Sequence, residues 1–375
     1  MLKKLMKKKH FDWLLFTLVI FLSLFGLLMI ADASAVVAQR DFGDQFYYLK
    51  KQSIWLALGI VTLLGVSKIN YQYFKKAAIP ILVFSITTLI VVLIPGLGIK
   101  RLGAQRWLGI GTFSFQPSEI AKLALVLYGA SFLANNHFKK QSPHRLWPFL
   151  IINALIASLI ILEPDLGTTV TIVAIGLALC FLADVPSWKL LIFLCAALIL
   201  AVTLIFSSTY RQERLLTFLK PNYDPQGASY HVHQILLALG SGGLWGQGIG
   251  QGKQKYAYLP EATTDSIFAI IAEEFGFVGA TIFVITLSLL IFRCLYLSNQ
   301  TPDQFAKLLV AGVGVWLGFQ ALINLGSMVA ILPLTGIPLP LVSYGGSSLL
   351  VTMTGLGMVL SISRERVRRK KRNDK

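Results

Sequence analysis

Apolar runs long enough to cross hydrocarbon as helix recur along almost the whole chain, and that pattern restricts the fold more than any motif does. About 30 Å of hydrocarbon takes roughly 17–25 residues of helix. Ten runs approach that length, at about 11–31, 52–67, 77–97, 116–134, 146–162, 168–184, 189–206, 267–295, 306–331 and 347–362. With 55% of its 375 residues apolar and only 14% charged, and with a mean hydropathy of +0.69, the chain departs from soluble domains as a polytopic membrane protein does. The expected fold is therefore an all-α polytopic membrane protein of about ten transmembrane helices, with a large outer loop between helices 7 and 8 at about 207–266.

Orientation follows from basic residues beside the spans, because Lys and Arg resist translocation. Lys3, Lys4, Lys7, Lys8 and Lys9 precede the first run, and eight basic residues lie in 364–375 after the last. Both termini are thus expected in the cytoplasm, which requires an even number of spans and also places Lys75, Lys76, Lys139, Lys140 and Arg145 inside. The chain divides into a basic segment 1–10, a membrane domain 11–362 and a basic tail 363–375, in the cytoplasmic (inner) membrane. A net charge of +17 suits nucleic acid in a soluble protein. Here the basic ends flank apolar spans and carry no aromatic-rich module, so anionic lipid is the expected partner and nucleic acid is not. "ADASA" at 31–35 is the nearest approach to a cleavage site after the first run, whose length instead marks a retained span. Cys180, Cys195 and Cys294 lie in or beside apolar runs without CxxC spacing, as packing residues do.

With this topology the polar motifs gather at the outer face: Arg101, Arg106, Gln116, Glu119, Lys122, Glu163, Asp165, Arg211, Arg214, the 207–266 loop and "LPLVSYGGSS" at 339–348. The loop is long enough to build a site. Its stretch "LGSGGLWGQGIGQGKQKYAYLPEA" carries Gly at 240, 242, 243, 246, 248, 250 and 252, which either admits close approach of a ligand to the backbone or makes a flexible linker. No strand precedes it, so it is not a nucleotide-binding fingerprint.

Four acids, Glu261, Asp265, Glu273 and Glu274, fall within fourteen residues of a chain that has 17 in all. Asp265 stands where an apolar helix begins and fits an N-cap. Glu273 and Glu274 lie roughly 12 Å deeper, at about 80° and 180° around the helix from Asp265, so the acids cannot all face one cavity. A charge facing lipid is costly, and one of the deeper pair should meet a buried cation or a polar cavity. Glu119 and Lys122, three apart, share a helical face; they form either a self-satisfied ion pair or part of a site. Glu163 and Asp165 flank Pro164 in a turn that restarts a helix. Arg211 and Arg214 lie one turn apart if helical, suited to a phosphate of substrate or lipid. His231 and His233 have no acidic setting and read as surface residues.

The segments "RWLGIGTFSFQPSEIAKLAL" (106–125), "EPDLGTT" (163–169), "YRQERLLTFLKPNYDPQGASYH" (210–231), "LPEATTDSIFAIIAEEFGFVG" (259–279) and "GIPLPLVSYGGSSLL" (336–350) resemble, in order, the signature segments of the SEDS family (shape, elongation, division and sporulation). "GQGIGQGKQKYAYLPEA" is closer to the FtsW-like than to the RodA-like branch. The resemblance implies an inverting peptidoglycan glycosyltransferase. It would polymerise lipid II at the outer face of the cytoplasmic membrane, in cell division or cell-shape maintenance, release undecaprenyl pyrophosphate, and work beside a class B penicillin-binding protein.

Within that reading Asp265 is the catalytic general base on the acceptor 4-hydroxyl. Arg211, Arg214, Lys122 and Lys255 are candidate cations for the pyrophosphate, with Glu261 in the substrate-binding set. Glu119 holds Lys122, and Glu163, Asp165, Glu273, Ser343 and Tyr344 support the site. No ligand set calls for a metal or cofactor, although a divalent cation could share the pyrophosphate. The rival classes are a lipid-linked precursor flippase, which would line a path through the midplane with charges, and a non-catalytic scaffold for a penicillin-binding protein, in which Asp265 would be replaceable.

Overall fold

The computed structural model describes residues 11–373 apart from 102–103, 111–112, 136–145, 221–222, 225 and 257. Lys3 to Lys9 and the basic connection at 139–145 lie outside the described residues. Seven helices are long and apolar enough to cross a membrane: α1 (Trp13–Phe42), α2 (Tyr47–Val66), α3 (Tyr71–Leu93), α4 (Pro117–Ala134), α10 (Ile267–Asn299), α11 (Gln304–Met328) and the Gly346–Arg364 part of α12 (Gly346–Asn373). Three shorter apolar helices complete the set, α5 (Trp147–Leu162), α6 (Leu166–Leu182) and the Ser187–Thr203 part of α7 (Ser187–Phe206). These ten elements match the ten apolar runs one for one. The stretch "ADASA" is simply helix, with Ala33 and Ser34 buried inside α1.

The large loop between α7 and α10 is itself structured. It holds α8 (Thr209–Leu219), an amphipathic helix, and α9 (Tyr230–Ser241), which packs on α10 and α11. One element stands outside the all-α expectation: β1 (Gly98–Arg101), β2 (Ala104–Ile110) and β3 (Phe113–Phe115) form an antiparallel meander between α3 and α4. Its strands are three to seven residues long, too short for a period-two pattern to stand out beside the helical runs.

Packing is layered from the inside out. In their most apolar windows α4, α11 and α12 are each 72% buried, against 22% for α2 and 28% for α3, so α4, α11 and α12 are the core and α2 and α3 are left with broad lipid-facing sides. Hydrophobicity cannot drive apolar helices together in lipid, so small residues that permit close contact carry the association. Gly59 of α2 faces Met353 of α12, and Gly357 of α12 faces the backbone of α2 at Leu63.

The two ends of the described chain share one face. Arg364 lies over the Phe11 ring at 4.7 Å, Ser361 donates to the Ile69 carbonyl, and Asp12, the N-cap of α1, pairs with Arg293 near the end of α10 at 2.8 Å. The starts of α10 and α12 therefore lie at the opposite face, where the polar motifs collect.

Candidate active site at the start of α10

The turn from Leu259 to Ser266 presents the first acid cluster. Its backbone folds on Glu261, whose carbonyl accepts from Thr264 and Ser266 N–H groups at 3.1 and 3.2 Å. Two other elements hold it from outside: Asn324 Nδ2 of α11 donates to the Asp265 carbonyl at 2.8 Å, and Tyr344 N–H donates to the Thr263 carbonyl at 2.8 Å. Asp265 is not the helix cap that its position suggests. Ser266 takes that place, which releases the Asp265 carboxylate for other use. That carboxylate accepts from Thr264 Oγ1 at 3.2 Å, and the same hydroxyl lies 2.7 Å from Glu261 Oε2. Burial, followed by the nearby charge of Glu261, pushes the Asp265 carboxyl up to about 6. Its Oδ2 faces the exposed Gly336, at 3.8 Å from where a Cβ would stand.

Polar side chains of α4 and α11 hold the floor beneath this turn. Lys122, 1% exposed, donates to Glu119 at 2.8 Å and to Gln320 Oε1 at 2.9 Å, and it stands 5.5 Å from the Trp316 ring centroid. Gln320 in turn donates to the Pro338 carbonyl, and Asn324, one turn on, donates to the Ile337 carbonyl. The Glu119–Lys122 pair is thus neither a self-contained surface pair nor a ligand clamp at the mouth. It is the buried base of a ladder that fixes the 336–339 segment against Asp265. Ser343 closes that segment by accepting from Leu339 N–H at 2.8 Å, and the Tyr344 ring packs edge-on against Tyr48.

The turn between α5 and α6 adds a third set. Asp165 caps α6 through Thr168 N–H and Oγ1 at 3.0 and 2.9 Å, as a short acid before a helix does, and it reaches Gln116 Nε2 at 3.5 Å. Glu163 is fully buried. Burial, reinforced by the Asp165 charge, pushes it up to about 9, so it is protonated at neutral pH. Arg106 of β2 clasps the turn from outside through the carbonyls of Glu163 and Pro164, which gives the meander its function in the fold.

The second acid cluster, eight and nine residues after Asp265, is saturated. Glu273 accepts from the Lys253 and Gln254 N–H groups at 2.8 and 3.3 Å. Glu274 accepts from Gly250 and Gly252 N–H groups and from Lys255 Nζ at 2.7 Å. Lys255, 4% exposed, also binds both oxygens of Asp32 on α1 at 2.7 and 2.8 Å. Glu274 has therefore met the buried cation that its depth demanded. Lys255 is spent on it and is not brought to Asp265 as a pyrophosphate ligand.

The glycine run is neither a linker nor a ligand cradle. Its backbone lies directly on α10, with Gln247 and Gly248 N–H groups bonded to the carbonyls of Glu273 and Glu274. A Cβ at Gly242 or Gly246 would overlap the Ala272 or Glu274 carbonyl oxygen. The helix breaks there at Gly276 (φ 67°, ψ −171°), and the loop fills the gap through Phe277 and Val278 N–H bonds to the Gly243 and Leu244 carbonyls.

Cations above the acid turn come from α8. Arg214 donates to the Leu334 carbonyl at 2.7 Å, and its charge acts on both Asp265 and His231. Arg211 lies one turn back on the same helix. His231 is a correction to the sequence reading: it is half-buried and engaged, with its Nε2 2.7 Å from Ser266 Oγ. Only the meeting of α9 with α10 reveals this, because no local spacing links residues 35 apart. Among the described residues no group of three or more His, Cys, Asp or Glu side chains is placed to hold a metal ion.

This arrangement can hold an acid ready to take a proton, with the charge of Arg214 acting on it and a rigid polar floor below. Comparisons with known proteins place the chain in a family. A family model described as cell cycle protein, covering FtsW, RodA and SpoVE, matches residues 12–368. The chain is 36% identical to a probable peptidoglycan glycosyltransferase FtsW of Trichlorobacter lovleyi, over 96% of this chain and 95% of that one. It is also 36% identical to the stage V sporulation protein E of Bacillus subtilis, over 96% and 98%. A solved chain described under the structural coordination of polymerization and crosslinking by a peptidoglycan synthase complex superposes with a TM-score of 0.78 at 30% identity, covering 95% of this chain and 98% of its own. A ten-helix membrane core, matched by the family model and by FtsW relatives over nearly its full length, makes the chain an FtsW-like member of the SEDS family.

Proposed function

We propose that this protein is a peptidoglycan glycosyltransferase that polymerises lipid II at the outer face of the cytoplasmic membrane, with both termini in the cytoplasm. The 11–362 domain carries the activity, and the basic ends 1–10 and 363–375 lie against anionic lipid. The observation that carries this reading is Asp265 itself, a carboxylate whose backbone carbonyl is held by Asn324 of α11, in a turn held also by Tyr344, while its Oδ2 faces an exposed glycine. A carboxyl held at about 6 is ionised at neutral pH yet basic enough to accept a proton, which is what general-base catalysis requires.

In the reaction, the acceptor 4-hydroxyl oxygen attacks C1 of the donor sugar, and its proton passes to Asp265. The C1–oxygen bond to pyrophosphate breaks with inversion, and undecaprenyl pyrophosphate leaves with the electron pair. Arg214 and Arg211 face the charge that develops on the leaving pyrophosphate, and the Glu261 charge helps to raise the proton affinity of Asp265. Lys122 acts from below by fixing the 336–339 segment and does not contact the pyrophosphate. A divalent cation, where one takes part, travels with the pyrophosphate. A class B penicillin-binding protein receives the strand for crosslinking.

The test is purified protein with labelled lipid II, scored for glycan polymer and for transbilayer movement in the same vesicles. Polymer from the parent and none from Asp265→Asn is expected. Movement without polymer would replace this reading with a flippase.

A further inference from the structure

We propose that His231 is a positioning residue for Asp265, anchoring the Ser266 end of the acid-bearing turn to α9 so that the carboxylate is held at the reacting oxygen. This rests on the reading of Asp265 as the base. Ser266, at one end of the turn, is completely buried and stands at the N-cap of α10, where a serine side chain ordinarily accepts from the second or third helical N–H. Here it makes no such bond. Its Oγ is turned instead to His231 Nε2 at 2.7 Å.

One imidazole thus ties α9 to Ser266, the residue that follows Asp265. Burial, with Arg214 adding to it, holds His231 down to about 4, which keeps the ring neutral beside Ser266. The clamp is rigid from outside because α9 packs on α10 and α11 and buries Val232, Ile235 and Ala238. The existing supports from Asn324 and Tyr344 reach only backbone carbonyls inside the turn. His231 instead ties the Ser266 end of the turn to a separate helix through a side chain.

The experiment compares purified parent, His231→Ala, His231→Gln and Ser266→Ala on labelled lipid II over a range of concentrations, with Asp265→Asn alongside. Displacing a catalytic group by about an ångström costs up to about 10²-fold. We expect kcat for His231→Ala to fall by about 10–100-fold with KM and thermal midpoint close to the parent. Glutamine has one donor and one acceptor at similar reach, and His231→Gln should recover most of the rate. Ser266→Ala should lower kcat in the same direction. Parental kcat in His231→Ala overturns the proposal, as does a loss confined to KM or to thermal stability, or a glutamine variant no better than alanine. If His231→Ala does not purify folded, parental kcat in Ser266→Ala overturns it equally. Asp265→Asn separates the two levels: its retention of activity sinks the base assignment, whereas an inactive Asp265→Asn beside a parental His231→Ala sinks only the anchor.

Discussion

Two acid clusters flank the first turns of one helix, and the protein treats them in opposite ways. Around Glu273 and Glu274 every carboxylate oxygen is engaged: loop N–H groups bind all four, and Lys255 ties Glu274 to Asp32. At Asp265 the backbone is pinned while the carboxylate accepts from Thr264 and lies beside an exposed glycine. Burial without full compensation raises its proton affinity. The lower cluster fixes where the loop sits, and the upper one keeps a carboxylate able to exchange a proton.

The largest expected effect breaks that contrast from above. Asn keeps the size of Asp and, because Ser266 occupies the cap position, Asp265→Asn leaves helix capping untouched. Loss of a general base costs about 10²–10⁴ in rate, so polymer formation should fall at least about a hundredfold with an unchanged thermal midpoint. A variant with near-parental turnover would move the base elsewhere. In the parent, polymer formation should fall on the acid side around pH 6, where Asp265 gains its proton.

The next effect comes from below. Lys255→Ala leaves Asp32 and Glu274 facing each other without their cation, and removing one partner of a buried pair costs about 3–5 kcal/mol. Yield and thermal midpoint should drop sharply, while turnover per folded molecule stays within a few-fold. Loss of turnover at unchanged stability would mean that the lower cluster belongs to the chemistry.

A smaller effect probes the loop that joins them. Gly246 has φ +85° and lies on the Glu274 carbonyl. The left-handed backbone alone costs a non-glycine residue about 1–2 kcal/mol, so Gly246→Ala should lose at least that by chemical denaturation. Gly240→Ala, with nothing near its Cβ, should change little. Equal behaviour of the two would make the run a linker after all.

The helices were legible because each apolar run meets a membrane-length requirement by itself, and even the short runs at 52–67 and 347–362 were read within a few residues. The acids were legible as rare charges in an apolar chain. What escaped depends on partners distant in sequence. The glycines answer to carbonyls of Ala272 and Glu274, Lys255 to Asp32 on the first helix, and His231 to a serine 35 residues on. Local spacing carries no trace of such pairs. The meander escaped because its strands are too short to register against the helical signal.

The smallest effect sharpens the upper region by setting its two titrating groups against each other. Asp265 is raised from an ordinary 3.8 to about 6. Its contribution to stability is therefore fully present below 3.8 and is lost as pH rises through about 6. His231 is lowered from an ordinary 6.5 to about 4, so its contribution is present above 6.5 and is lost as pH falls through about 4. Between these limits acidification favours the fold through Asp265 and opposes it through His231, and the two offset each other in the parent. Removing either group exposes the other. From pH 6.5 to 4.5 the thermal midpoint of Asp265→Asn should fall relative to the parent, and that of His231→Gln should rise. Glu163, held up to about 9, favours the fold on acidification in all three proteins, so it drops out of the differences. Three parallel curves would mean that neither group is shielded as the turn requires, and the contrast between a saturated lower cluster and a poised upper one would fail at its upper end.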